Sequence, residues 1–422
     1  MQGQRALKLV LLNLKYSPNL GDGIIAECLE AVLREHNPEI EVSSCDIAGR
    51  TSYGEGINHS RAVLLSLLER VPGRLRRALV SLSLRPIVEL KLRQHYRSGL
   101  QDADAAILGG GQLIADADLN FPIKISAVAD MARGLGVPFG VYGAGIGKQC
   151  SEKGLELFRQ ALASQAFIAC LRDQDSANRW NDMFAPPDAT VVNDPGLLAS
   201  QVWPTSETRS RLRPLIGLGV TNPSTLNMHA DHPGYDHQEW RDFFRHLSMD
   251  LLDRGYDVKF FTNGAYDDFR FAASVRASLP DELLSNERIR IASEVRHPSD
   301  LAELISQLDG LVAHRLHAGI LAYSYGVPHV GLGWDCKLDA FFRSMGRERF
   351  MISDWRPDAA TVAEAIEDAL EAGICDDKRH SVIEETKAQI VQLGKWLSHG
   401  MAENNRRDAI AQPEYHHSSS PA

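Results

Sequence analysis

Short apolar runs that end in glycine or charge recur along the whole chain, and stretches with helical spacing separate them. In the first half, "LKLVLLNL" is followed by the turn "YSPNLGDG" and the helical pattern "IIAECLEAVLREH". "DAAILGGGQLI" and "PFGVYGAGIG" each run into a glycine-rich loop, "AFIACLRDQDSANRW" enters a helix, and "ATVVNDPGLLA" is a short strand with a turn. In the second half "RPLIGLGV", "DVKFFTNG", "RIRIAS", "GLVAH", "PHVGLG" and "RFMISD" are strands, with helices such as "QEWRDFFRHLSMDLLDRG" and "SDLAELISQLD" between them. Strands that alternate with helices require parallel sheets. The expected fold is α/β, with two Rossmann-like doubly wound domains facing a cleft and a C-terminal helix packing back.

The Ser-, Thr-, Arg- and Pro-rich stretch Ser200–Pro214 marks the boundary. The expected units are 1–200, 201–375, a helix over 376–411 and a disordered tail over 412–422. A length of 422 residues allows two cores of roughly 150–200 residues each. The net charge of -10 excludes a general nucleic-acid binder, which needs basic surface against phosphates. The six cysteines form no CxxC pair, zinc pattern or disulfide framework, so they read as reduced and mostly buried thiols in a cytosolic protein. No stretch approaches ~20 uninterrupted apolar residues. The expected location is cytoplasmic, with peripheral attachment to the inner face of a membrane as the one membrane association the sequence allows.

In open α/β sheets, ligands bind outside the carboxyl ends of the strands. At "NLGDGI", Asp22 is either a helix N-cap or a catalytic carboxylate. The successive glycines Gly109, Gly110 and Gly111 cost backbone entropy that a plain turn would not require, so they read as a close-approach loop. "GAGIGK" fits neither the dinucleotide fingerprint nor a P-loop. Arg172 in "CLRDQDS" stands at a strand end, as a ligand contact or as a surface ion pair with Asp173 or Asp175. Asp194 in "NDP" follows another strand and is also a turn former. In "GLVAHRLHAGILAYSYGVP", Arg315 and His317 fall in the first turn of a helix. Cations are unfavourable there by themselves, and an anionic ligand accounts for them. His314 and His317 supply only two nitrogens toward a metal, with no third or fourth ligand nearby in sequence, so no metal is expected.

The ordered set "NLGD", "GGGQL", "YGAGIG", "LRDQDS", "NDP", "HRLHAGILAYSYGVP" and "WDCK" resembles the polysaccharide pyruvyl transferases over Asn19–Lys337. Trp334 stands where members commonly carry tyrosine, which keeps the aromatic ring. The resemblance implies a GT-B-like fold, phosphoenolpyruvate as co-substrate without a further cofactor, and conversion of a sugar diol to a pyruvate ketal. The acceptor would be a polysaccharide or lipid-linked oligosaccharide of the cell envelope, bound on the N-terminal side, with the donor on the C-terminal side. Carried over by position, Arg172, Arg315, Leu316 and His317 would contact the donor and Lys337 would hold its phosphate. His317 is the candidate general acid, because histidine titrates near working pH. Asp22 or Asp194 would accept a hydroxyl proton.

Residues 61–100 carry nine Lys or Arg against two Glu, interleaved with leucine, in an otherwise acidic chain. This basic helical insertion is expected on an anionic membrane surface, with a solvated face or an oligomer contact as alternatives. A nucleotide-sugar glycosyltransferase of the same architecture is the competing function, and a non-catalytic sugar-binding protein a third.

Overall fold

A computed structural model of the chain describes residues 5–54, 73–163, 166–205, 211–229, 234–284 and 287–410. Every apolar run named above forms a strand. β1 (Leu7–Asn13), β2 (Ile40–Asp46), β3 (Ala105–Gly109), β4 (Phe139–Ala144), β5 (Ala166–Leu171) and β6 (Thr190–Val191) pair in the order β2-β1-β3-β4-β5-β6. β7 (Leu215–Gly219), β8 (Asp257–Phe261), β9 (Ile289–Ile291), β10 (Gly310–Ala313), β11 (His329–Leu332) and β12 (Met351–Ile352) pair in the order β12-β11-β10-β7-β8-β9. All pairings are parallel, so helical crossovers cover the faces. β3 and β10 are buried at every position, which is why they read as continuous apolar runs.

β2 was not among the expected strands. Its sequence "IEVSSCD" alternates buried and exposed positions at the edge of the sheet, so it offers no apolar run. The turn expected at "YSPNLGDG" is shorter than the sequence suggests. The helix Leu20–His36 begins inside it and carries both glycines of "GDG" in its first turn.

Close packing between the halves explains those glycines. A Cβ on Gly21 would lie 2.6 Å from Cγ of His317, and one on Gly23 would lie 2.9 Å from Cγ of Pro298. Leu20 N donates to Asn263 O at 2.8 Å, a backbone bond from one domain to the other. A single apolar cluster runs from Leu9, Leu11 and Ile24 in the first domain to Leu311 and Leu321 in the second, and includes Ile383 and Ile390.

Those last two residues belong to the helix Asp376–Ile410, which returns across the boundary to the first domain. Gln389 Oε1 accepts from Asn193 N at 2.8 Å, and Ser398 Oγ donates to Glu39 Oε1 at 2.9 Å. Arg379 Nη1 donates to Ser324 O at 3.0 Å, which keeps the same helix on the second domain. The tail 412–422, part of the basic insertion (61–72) and part of the boundary segment (206–210) lie outside the described residues.

Ile390 is fully buried where this helix crosses the first domain. Ile390→Ala should therefore cost about 2–4 kcal/mol, read as a lower urea midpoint. An unchanged midpoint would show that the helix does not hold the two halves together.

Candidate functional site

The strand order places a topological switch point in each sheet. In the first it lies between β1 and β3, and in the second between β7 and β10. The loops leaving these strands carry Asp22 and Gly109–Gly111 on one side, and Arg315 and His317 on the other. Ligand crevices in doubly wound sheets form at these points.

On the first side, the helix Leu20–His36 has Asn19 as its N-cap, and Asp22 sits in its first turn. The N-cap reading of Asp22 is thereby corrected. Burial pushes the Asp22 carboxyl up, and the nearby His317, Ser17 hydroxyl and Arg50 pull it down only in part. Gly110 and Gly111 have φ of 78° and 67°, a left-handed backbone that favours glycine. A Cβ on Gly111 would lie 3.0 Å from Asp22 Oδ1, so the glycine loop lies close against that carboxylate. Gly109 remains inside β3, with no side chain to crowd Tyr142 O of β4.

Arg172 leaves β5 with its side chain 7% exposed, not on the surface. Its guanidinium lies over Gly145, where a Cβ would come within 2.7 Å of Nη2. That contact gives the glycine of "GAG" a reason unrelated to nucleotide fingerprints. Nη1 faces Asp194 Oδ2 at 3.7 Å, and Nε faces Asp173 Oδ2 at 3.9 Å. Nη2 is buried and has no protein partner.

On the second side, Arg315 occupies the N-cap of the helix Leu316–Ser324, and His317 lies in the first turn. Arg315 Nη2 donates to Asp268 Oδ2 at 2.6 Å, and Asp268 Oδ1 accepts from Asn222 N at 2.8 Å. Asp268 is completely buried in the helix Tyr266–Ala277. Arg315 is thus neutralised within its own domain. The side chain of Leu316 joins the apolar core of the second domain, leaving only its backbone at the helix start. His314 packs edge-on to Trp240 at 4.7 Å between ring centroids, and burial holds its pKa down at about 3. It is a neutral core residue, separate in role from His317.

His317 faces the first domain. Its Nε2 lies 3.6 Å from Asp194 Oδ2, within ion-pair reach when the ring is protonated but too long for a direct hydrogen bond. Asp194 Oδ1 accepts from Gly196 N at 2.9 Å, so the turn-forming and site readings of this residue both hold geometrically. Burial would raise the Asp194 carboxyl, but His317, Arg172 and the Gly196 N–H together bring it below the ordinary range. Arg172, Asp194 and His317 form one row across the domain boundary, and His317 also packs on the backbone beside Asp22.

Lys337 lies further along the cleft. Gln112, Arg172, Asp173 and Arg179 of the first domain line a narrow cavity with Cys336 and Lys337 of the second. Lys337 Nζ pairs with Asp335 Oδ2 at 2.8 Å and stands 5.6 Å from the centre of the Trp334 ring. Among the thiols, Cys28, Cys45 and Cys170 are buried while Cys150 and Cys375 are exposed, fewer buried than the composition suggested. Asp268 escaped the sequence reading because it lies well beyond the end of β8, inside a helix, with no strand-end motif to mark it. Thr221, just past β7, also escaped; its hydroxyl is buried and unpartnered at the second switch point.

Two stability predictions follow from these charges. Asp268→Ala leaves a largely buried guanidinium unpaired and should cost about 3 kcal/mol; Asp268→Leu combined with Arg315→Met should recover much of it. Equal loss in both would remove the pair from the account. For Asp22 the folded carboxyl lies above its unfolded value of roughly 3.9, so its ionisation opposes folding at neutral pH. Asp22→Asn should raise Tm by about 2 °C or more at pH 7. The gain should shrink as pH falls through the raised pKa and vanish below the unfolded one. A lower Tm at pH 7 would contradict this.

The architecture has known counterparts. The UDP-GlcNAc 2-epimerase of Methanocaldococcus jannaschii, in complex with UDP-GlcNAc and UDP, is similar at a TM-score of 0.52 and 12% identity, over 92% of this chain and 99% of that one. The S. aureus MnaA–UDP structure is similar at 0.52 and 10% identity, over 91% and 92%. A UDP-glucosyltransferase from Polygonum tinctorium is similar at 0.51 and 12% identity, over 93% and 98%. At these identities the likeness shows a GT-B-like fold and nothing finer. No curated protein matches in sequence. The sequence model described as "Polysaccharide pyruvyl transferase" matches residues 19–335, three-quarters of the chain, including every site residue described above except Cys336 and Lys337. This chain belongs to the polysaccharide pyruvyl transferase family.

Proposed function

We propose that the protein transfers a pyruvyl group from phosphoenolpyruvate to two hydroxyls of a sugar, forming a ketal and releasing phosphate. The observation that carries the reading is the row Arg172–Asp194–His317. It lies across the domain boundary of a chain in this family, and Arg172 Nη2, Asp194 Oδ2 and His317 Nε2 are all buried without a hydrogen-bond partner. A donor with both a carboxylate and a phosphate suits a guanidinium fork facing the start of a helix.

In this reading Arg172 takes one anionic group of the donor. Lys337 and the free backbone N–H groups at the start of Leu316–Ser324 take the other. Arg315, tied to Asp268, positions that helix end. His317 gives a proton to C3 of the enol, and C2 becomes electrophilic for the first sugar hydroxyl. Asp194, held ionised beside it, orients the imidazole. The second hydroxyl then attacks C2, the C2–O bond to phosphate breaks, and the ketal closes. Of the two hydroxyl protons, one balances the proton given to C3 and the other leaves with phosphate. Asp22, whose raised carboxyl makes it the better base, accepts a hydroxyl proton. The glycines Gly109–Gly111 let the acceptor approach Asp22 from the first domain.

Thermal stabilisation tests the donor before any acceptor is known. Phosphoenolpyruvate at ~100 times its dissociation constant should add about 2.7 kcal/mol to folded stability. Phosphate should add far less, and Arg172→Ala should lose the effect. Stabilisation by UDP, GDP or a UDP-sugar alone would instead assign the cleft to a nucleotide-sugar glycosyltransferase, the use of the fold that the similar UDP-glucosyltransferase carries in its name. Single-turnover assays would then separate the roles. His317→Ala should slow pyruvyl transfer by about 10²–10⁴-fold while the donor still binds.

A further inference from the structure

The helix Gly73–Ile87 and its continuation to Leu100 are apolar on two faces. One face is accounted for. Leu84, Val88, Leu92, Tyr96 and Leu100 recur every four residues and are buried in the first domain's core. Pro86, which cannot donate a helical hydrogen bond, is followed by a π-helical turn at Val88–Leu92. The opposite face carries Leu75, Leu79, Leu82 and Leu90 at spacings of four, three and eight residues, one stripe of the helix. Leu82 is 71% exposed and Leu90 is 77% exposed. A contiguous stripe of this kind marks an interaction surface, unlike scattered surface leucines.

Charge indicates what covers it. Residues 73–100 hold seven Lys or Arg against one Glu, within a chain of net charge -10. Arg85, Lys91 and Arg97 are exposed along the same stretch. An apolar stripe between cations fits a lipid surface whose headgroups are negative, where the leucines enter the acyl boundary and the cations meet the headgroups. The position also suits such a use. Arg76 pairs with Asp118 at 2.6 Å, which ties this helix to the loop leaving β3 after Gly109–Gly111. The ridge therefore starts at the carboxyl edge of the first sheet, beside the cleft.

We propose that Leu75, Leu79, Leu82 and Leu90, with Arg85 and Lys91, form a docking ridge for an anionic lipid bilayer. The ridge brings the cleft to an acceptor carried on a lipid. This surface does not depend on the donor chemistry proposed above, and its test is kept separate from it. The full chain is floated with phosphatidylcholine vesicles, with and without phosphatidylglycerol, at low and high salt. Flotation is expected only with the anionic vesicles, and it should weaken as salt screens the charges. Leu79→Ser/Leu82→Ser/Leu90→Ser and Arg85→Glu/Lys91→Glu should each lower partitioning at least tenfold. Because all five side chains are exposed, both variants should keep the wild-type Tm and its shift with phosphoenolpyruvate. Failure of the intact chain to float, or equal flotation with neutral vesicles, would overturn the proposal. So would sedimentation showing an oligomer that the leucine variant dissociates without any effect on lipid binding.

Discussion

The ring of His317 rests on the backbone of Gly21, and much of the structure is arranged to permit that contact. Two parallel sheets present their carboxyl edges to each other, so the charged strand ends of both halves must share one space. Apolar packing from Ile24 through Leu321 to Ile390 holds them together around it. Any side chain larger than hydrogen at residue 21 would displace the imidazole from the row with Asp194 and Arg172. The glycine of "NLGD" thus serves a histidine almost three hundred residues away, and the C-terminal helix spans the two domains that carry them.

Shared burial then separates the two carboxylates that face the cleft. Asp22 has too little compensation and is pushed toward its protonated form, whereas Asp194 has a guanidinium, an imidazole and a backbone N–H and is held ionised. Environments that drive two like groups apart leave Asp22 the stronger base and Asp194 the weaker one. Arg315 is removed from this balance by a fully buried aspartate, and His314 by an aromatic cage. Of the three charged or titratable side chains packed into "AHRLHA", only His317 remains directed at the other domain.

Much of this was legible in the sequence because parallel strands are buried on both faces, and apolar runs stand out. β2 did not, since this edge strand is half exposed and alternates like a loop segment. Arg172, Asp194 and His317 could be picked out because charge next to a buried run is costly and needs a reason, whereas Lys337, inside the helix Cys336–Ser344, was marked only by the family resemblance. What each one pairs with could not. The Arg315–Asp268 bond joins residues from different crossover units, and no local pattern encodes it. The same limit applies to Gly145, whose need for hydrogen in place of Cβ arises only once Arg172 folds over it.

Strain next to the glycine loop adds one further constraint. Ala117, Asp118 and Leu119 all have positive φ, at 42°, 57° and 70°, where an L residue costs roughly 1–2 kcal/mol. Two carboxylates hold this left-handed turn. Asp116 accepts from Leu119 N at 2.7 Å and Ser151 N at 2.6 Å, while Asp118 pairs with Arg76 of the surface helix. Three non-glycine residues in this conformation would relax without such partners. The conformation of the loop that brings Gly110 and Gly111 to Asp22 is therefore coupled to where the basic helix sits. A force that moves that helix, such as docking on a surface, would act on the Gly110–Gly111 side of the cleft through this ion pair and the three strained residues. The same loop also reaches Arg172, because Gly111 O accepts from Gly145 N at 2.8 Å and the Arg172 guanidinium lies over Gly145.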